Sequence, residues 1–187
     1  MADLKIVVHG ALGKMGQEVL NAVNNTDGLV AVGGADFAAS ENTVAIPNSN
    51  SGVPLTNDLS QIIGNADVVV DFTSPGPTLN HLAQVAQHKR AIVIGTTGFS
   101  PNEMNQLRKH AESIPCVQAP NMSMGINVLL KIIGKVAQAL GDDYNLEIID
   151  AHHNRKKDAP SGTALKLAEA LAAAKNWDLA KTGTYAR

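Results

Sequence analysis

The stretch DAHHNRKKDAPSGTA, Asp150 to Ala164, sets two adjacent histidines and four further donors, Asn154, Arg155, Lys156 and Lys157, before a Pro-Ser-Gly-Thr turn. Four chemistries compete for it: a metal, a nucleic acid, a solvated loop, and an anionic substrate that receives a proton. Neighbouring side chains on a strand point to opposite faces, so His152 and His153 do not converge on one ion, and no second His or Cys cluster completes four ligands. No metal is expected. Nucleic acid is not expected either, because the chain carries a net charge of -2 and only 3% aromatic residues, leaving no stacking platform beside the basic run. A solvated basic loop stays open, but an anion site accounts for more of the residues together. Ser161 can N-cap the following helix, whose first N–H groups, at Gly162 and Thr163, lack intrahelical partners and suit a carboxylate. Lys156 and His153 add charge. Hydride addition to a conjugated imine leaves an electron-rich enamine that needs a proton, which a cationic Lys156 or His152 would supply as general acid.

A hydride source is written at the other end of the chain. HGALGKMGQEV spaces Gly10, Gly13 and Gly16 as G-x-x-G-x-x-G between an apolar strand and a helix. Glycines there let backbone N–H groups approach a pyrophosphate at the positive end of a helix. Asp36, 20 residues beyond Gly16, closes the second strand, where a carboxylate accepts from both ribose hydroxyls of an adenosine and repels a 2'-phosphate. Phe37 beside it offers a face for adenine, and Lys14 is the nearby cation. The cofactor is therefore NADH or NADPH, with NADH at least as good. Two more loops, FTSPGP (72–77) and GTTGF (95–99), leave strand ends on the ligand-binding edge, and APNMSMGIN (119–127) ends the next strand. Met122 and Met124 in it are expected to fill the core.

The elements that must position these groups follow from periodicity. LKIVVHG, LVAVGGAD, DVVVDFT, AIVIGTTG and PCVQAPN are short, nearly all-apolar runs alternating with helix-period segments, the pattern of a parallel sheet covered on both faces. A Rossmann-like, doubly wound α/β domain is expected over residues 1–123. Ser100, Pro101 and Glu103 supply N-cap, N1 proline and capping box for one of its helices, and another starts near Lys14. Residues 38–60, rich in Ser, Asn, Gly and Pro, read as a surface excursion. From residue 124 an incomplete α+β substrate and oligomerisation domain is expected: an amphipathic helix with Ile126, Leu129, Leu130, Ile133 and Val136, a strand LEIIDAHH, then the helix GTALKLAEALAAA. Composition is ordinary for a soluble protein, 44% hydrophobic and 17% charged, and the N-terminal apolar run is too short for a signal peptide or membrane span, so a cytoplasmic location without membrane partners is expected. Cys116 stands alone and reads as a buried small hydrophobe.

GALGKMG, GTTGF, APNMSMGIN and above all EIIDAHHNRKKDAPSGTALKLAE resemble the dihydrodipicolinate reductase family of lysine and diaminopimelate synthesis. The resemblance runs from the first strand to the chain end. It implies NAD(P)H-dependent reduction of 4-hydroxy-tetrahydrodipicolinate, a small cyclic dicarboxylate, to tetrahydrodipicolinate. By motif position, it implies that His152 is a proton donor and acceptor and Lys156 a proton donor, with His153, Gly162 and Thr163, beside Ser161, at the substrate carboxylates. The cofactor contacts it implies are Gly10, Ala11, Leu12, Gly13, Lys14, Met15, Asp36, Gly95, Thr96, Thr97, Ala119, Pro120, Asn121 and Met122. Ser74 and Phe37 stand where some members place arginine, which weighs against a preference for NADPH. Family members continue well past TYAR with strands that complete the second domain and build a homotetramer, so the resemblance implies a C-terminally truncated chain. Another amino-acid-pathway dehydrogenase, of the aspartate or diaminopimelate type, and a non-catalytic dinucleotide-binding fragment are the alternatives.

Overall fold

The computed structural model describes residues 2–152, 154 and 159–185. The chain divides into two compact units, Met1–Pro120 and Asn121–Arg187. The first holds a seven-stranded sheet: β1 (Leu4–His9), β2 (Leu29–Ala35), β3 (Thr43–Ala45), β4 (Gly52–Thr56), β5 (Val68–Asp71), β6 (Ala91–Ile94) and β7 (Cys116–Gln118), in the order β3-β4-β2-β1-β5-β6-β7. All neighbours run parallel except β3 and β4. Helices α1 (Lys14–Asn24), α2 (Pro75–Gln87) and α3 (Pro101–Ala111) follow β1, β5 and β6. The chain winds outward in both directions from β1 and β5, so the ligand-binding crevice of such a sheet lies at their carboxyl ends.

Alternation along β1 explains why its sequence is apolar from Ile6 to Val8, after the exposed Leu4 and Lys5. Val7 joins one core layer with Ile63, Val69, Leu82, Ile92 and Leu107, while Ile6 and Val8 join the opposite layer with Leu20, Val23, Val44 and Val53. Both faces are covered from Ile6 onward, so neither parity of the strand carries a polar residue there until its last position, His9. Each fully buried Val or Leu in these layers contributes about 1.5–3 kcal/mol relative to exposure. The capping box at α3 forms as its sequence predicts: Ser100 Oγ accepts from Glu103 N–H, and the Glu103 carboxylate accepts from Ser100 N–H.

Two expectations are corrected in this unit. Residues 38–60 are not merely a surface excursion, because β3 and β4 form an antiparallel hairpin that extends the sheet, with Val44, Ile46, Val53 and Leu55 buried. Strands of three and five residues are too short to show a period, and Pro54 is tolerated because β4 pairs with β2 only from Leu55 onward, so the missing N–H interrupts no bond of that ladder. Cys116 is half-buried on the edge strand, and burial pushes its thiol up.

The second unit is helical among the described residues: α4 (Met124–Leu140), α5 (Gly162–Lys175) and the short α6 (Leu179–Thr182). Helices α4 and α5 pack closely where Gly134 meets Ala174 and Ala170; a Cβ at 134 would lie 3.0 Å from the Ala174 methyl. Lys175 Nζ donates to the Gly141 carbonyl at 2.7 Å and Gln138 Nε2 to the Ala174 carbonyl at 2.9 Å, tying the two helix ends together. The expected strand LEIIDAHH does not form over residues 145–152. Strand geometry needs a hydrogen-bonded neighbour, and no strand in this unit's described residues supplies one. Met122 and Met124 do not fill the core either, being 42% and 82% exposed on the segment that leads into α4. No helix among the described residues is long and apolar enough to cross a membrane.

Candidate active site

The glycine turn is built by close approach. Gly10 takes φ +77°, and Gly10 and Ala11 N–H both donate to the Ala35 carbonyl, at 2.8 and 3.2 Å, fastening the turn to the end of β2. A Cβ on Gly16 would lie 2.0 Å from the Gly10 carbonyl oxygen, so only glycine lets α1 start this near the turn. Gly13 is the N-cap and no side chain caps the first turn of α1, which leaves its amides for an anion. Asp36 is buried, with Oδ2 accepting from Leu12 N–H at 3.0 Å and Oδ1 from Ala38 N–H at 3.0 Å. The carboxylate therefore touches the glycine turn itself. Phe37 is 94% exposed next to it. Among the expected cofactor contacts, Leu12, Lys14 and Met15 are exposed, while the Ala11 methyl is buried in the core layer and leaves only backbone for a ligand.

A second cluster at the same edge was not singled out from sequence. His9 and Asp71 end β1 and β5 as direct partners in register, and His9 Nδ1 lies 2.9 Å from Asp71 Oδ2. The other carboxylate oxygen, Oδ1, accepts from Thr73 N–H at 3.0 Å, Thr73 Oγ1 at 2.8 Å, Thr78 Oγ1 at 3.0 Å and Thr96 Oγ1 at 3.2 Å. Burial would raise the Asp71 pKa, but the His9 contact and the Thr73 and Thr78 hydrogen bonds outweigh it and hold the carboxyl below its ordinary range. His81, on α2, meets His9 edge-on with ring centroids 3.7 Å apart, and its Nδ1 is 4.0 Å from Asp71 Oδ2. Burial first, and then the neighbouring His9, push the His81 pKa down to about 4 against a partial pull from Asp71 and Asp58. His9, Asp71 and His81 bring ligand-type atoms within 4.8 Å of one another. Donors already crowd the carboxylate, which makes this a hydrogen-bonded hub rather than an open cage. A polar residue closing an otherwise apolar strand, as in IVVH and VVVD, is the sequence signal that could have found it. Of the β6 loop, Thr96 is buried with its hydroxyl turned into the hub, and Thr97 is exposed. Ala119 N–H donates to the Ile94 carbonyl at 3.2 Å, carrying the chain past β7 to the exposed Pro120.

In the second unit Ser161 caps α5, its Oγ accepting from Ala164 N–H at 3.1 Å. Asp150, another residue not singled out, accepts from Ser161 N–H at 2.8 Å and Ser161 Oγ at 3.0 Å, and its Oδ1 lies 2.7 Å from His152 Nε2. The Ser161 backbone contact is the largest reason the Asp150 carboxyl stays low. One carboxylate thus fixes both the helix start and the imidazole. Gly162 is exposed and Thr163 half-buried in the first turn, and Asn121 Nδ2 donates to Thr163 Oγ1 at 3.2 Å. The Asn121 side chain, expected at the cofactor, is thereby engaged with the helix on which Gly162 and Thr163 are expected at the substrate. Met122 is exposed nearby in sequence. His153 and Lys156 lie outside the described residues.

Comparison with known proteins agrees with both units. The family described as dihydrodipicolinate reductase, N-terminus, matches residues 4–122, and its C-terminus counterpart matches residues 125–185. The chain is 43% identical to 4-hydroxy-tetrahydrodipicolinate reductase of Syntrophus aciditrophicus (strain SB), and 44% identical to that of Hahella chejuensis (strain KCTC 2396), over 98% of its own length and 70% of theirs. A dipicolinate-bound dihydrodipicolinate reductase from Paenisporosarcina sp. TG-14 superposes with a TM-score of 0.73 at 32% identity, covering 92% of this chain and 66% of that one. A homoserine dehydrogenase from S. aureus, at 18% identity and a TM-score of 0.54, shares the fold alone. With N-terminus and C-terminus matches in this order along one chain, the protein belongs to the dihydrodipicolinate reductase family, nicotinamide-dependent oxidoreductases of lysine and diaminopimelate biosynthesis.

Proposed function

We propose that the chain reduces 4-hydroxy-tetrahydrodipicolinate to tetrahydrodipicolinate, using NADH at least as well as NADPH. The observation that carries the reading is the Asp150–His152 pair beside the capped but open start of α5, with 2.7 Å between carboxylate and imidazole. The glycine turn fits a dinucleotide, because the space a Cβ would fill at Gly10 and Gly16 is taken by backbone and the α1 amides carry no side-chain cap. Bound there, a reduced nicotinamide supplies the hydride. Gly10, Ala11, Leu12, Gly13, Lys14 and Met15 would hold its pyrophosphate, Asp36 its adenosine ribose, and Gly95, Thr96 through its backbone, Thr97, Ala119, Pro120, Asn121 and Met122 the remainder.

The chain's own groups do the rest. Amides of Gly162 and Thr163 receive a substrate carboxylate, helped by Ser161 and His153, because the helix start favours negative charge. His152, held at Nε2 by the Asp150 carboxylate, would move a proton at its other ring nitrogen, Nδ1, and Lys156 donates a proton to the reduced substrate. Asp36 gives the cofactor preference: a 2'-phosphate set beside a carboxylate would be repelled, while ribose hydroxyls would be accepted. The assay is oxidation of each cofactor followed at 340 nm on adding the cyclic dicarboxylate. A rate with NADH equal to or above that with NADPH is expected; no oxidation with either, or a strong preference for NADPH, contradicts the proposal in its reaction or its cofactor part respectively.

A further inference from the structure

We propose that Asp71 is the positioning residue of the cofactor-binding edge, acting through Thr96, Thr73 and His9 rather than by touching a ligand; this rests on the dinucleotide reading above. Asp71 has no exposed surface, so it makes no contact with a bound molecule. Its five donors come from four separate elements. His9 is the last residue before the Gly10 turn, Thr73 lies in the β5–α2 loop, Thr78 in α2, and Thr96 in the β6–α3 loop directly before the exposed Thr97. The threonines also bind one another: Thr73 N–H reaches Thr96 Oγ1 at 3.0 Å and Thr78 Oγ1 lies 2.9 Å from it. The β5–α2 loop in turn presses on the glycine turn, since a Cβ at Gly10 would stand 2.9 Å from the Phe72 carbonyl oxygen and 3.1 Å from Thr73 Cγ2. One carboxylate therefore fixes the relative places of three loops that a nucleotide would contact in this unit, those after β1, β5 and β6.

Stability alone does not account for an ionised group here. A buried carboxylate carries a desolvation penalty of several kcal/mol even when paired, and an apolar replacement of like volume is often as stable. Val69, two residues earlier on the same face of the strand, is fully buried in the aliphatic core layer, so aliphatic side chains suit this face. What an aliphatic residue could not do is draw hydroxyls from two loops and a helix to one point. His81, facing the same carboxylate from α2, stays uncharged at neutral pH and adds no charge to the hub; Asp58, acting on His81 from its own side, is exposed.

The test compares NADH affinity, by fluorescence titration of the whole chain, with thermal stability of the free protein. Thr96→Val keeps the shape and removes the hydroxyl; Asp71→Asn keeps the shape and removes the charge. Both are expected to weaken NADH binding at least tenfold, and Thr96→Ser, which restores the hydroxyl, to bring it back within about twofold of the parent. Leu82→Ala, a core truncation on α2, serves as the stability control and is expected to lower the melting temperature without a comparable loss of affinity. Should Asp71→Asn fail to fold, the Thr96→Val and Thr96→Ser pair decides alone. Parent-like NADH affinity in Thr96→Val, or affinity that falls in Leu82→Ala as far as in Thr96→Val, overturns the positioning role and leaves the dinucleotide reading intact. A parent chain that does not bind NADH overturns both.

Discussion

His81 illustrates how a single side chain ties pH to stability in this fold. Its pKa falls from 6.5 to about 4 because burial and His9 oppose its charged form. Below pH 6.5 the unfolded chain takes up a proton at this imidazole that the folded chain refuses until about pH 4, so the folded state loses stability as pH falls through that window. Above pH 6.5 the residue contributes no pH dependence. Urea unfolding midpoints at pH 7, 5.5 and 4.5 are expected to fall in that order, and His81→Phe to flatten the fall; an unchanged slope in the variant would assign the acid sensitivity elsewhere. Asp71, with its pKa held low, keeps its contribution over the same range and loses it only under stronger acid. Asp150 shows a different use of the same group: an exposed carboxylate that orders a serine and a histidine around a helix start.

At the scale of elements, the start of α5 joins local sequence to chemistry. Ser161→Ala removes the hydroxyl that accepts from Ala164 N–H, a loss of about 1 kcal/mol for a helix N-cap. Hydrogen exchange of the first-turn α5 amides is expected to rise accordingly, while protection of β1 and β5 stays unchanged; equal exchange at α5 in the two proteins would contradict the cap. Elements whose ends are written in local chemistry were legible from sequence: α1 from its glycines, α3 from Ser100, Pro101 and Glu103, α4 from its apolar period, α5 from Ser161. The β3–β4 hairpin was not, because three to five residues show no period and Pro54 argues against a strand. The segment LEIIDAHH reads as a strand by composition, yet β structure is a property of pairs and no strand among the unit's described residues lies beside it. The Asp71 hub escaped for a related reason. Residues 9, 71 and 96 are separated by 62 and 25 positions and meet only once the parallel register aligns the ends of β1 and β5.

For the whole molecule, the order of parts along the chain carries as much as any one site. A mostly parallel sheet that ends in a glycine turn and a carboxylate is followed by a unit, helical among its described residues, in which Ser161 and Asp150 set out the start of α5. The chain spans 70% of the length of the Syntrophus relative and 66% of the Paenisporosarcina chain. Along α4, Val128, Ile132, Val136 and Leu140 repeat every fourth residue and each is more than 40% exposed, so this helix shows an apolar stripe within its own unit. The most direct measurement of the central claim is calorimetric titration of the NADH-saturated chain with pyridine-2,6-dicarboxylate, a planar stand-in for the substrate. Saturable one-to-one binding that Ser161→Ala and His152→Ala each weaken is the predicted result, and absence of binding to the NADH-saturated chain would contradict it.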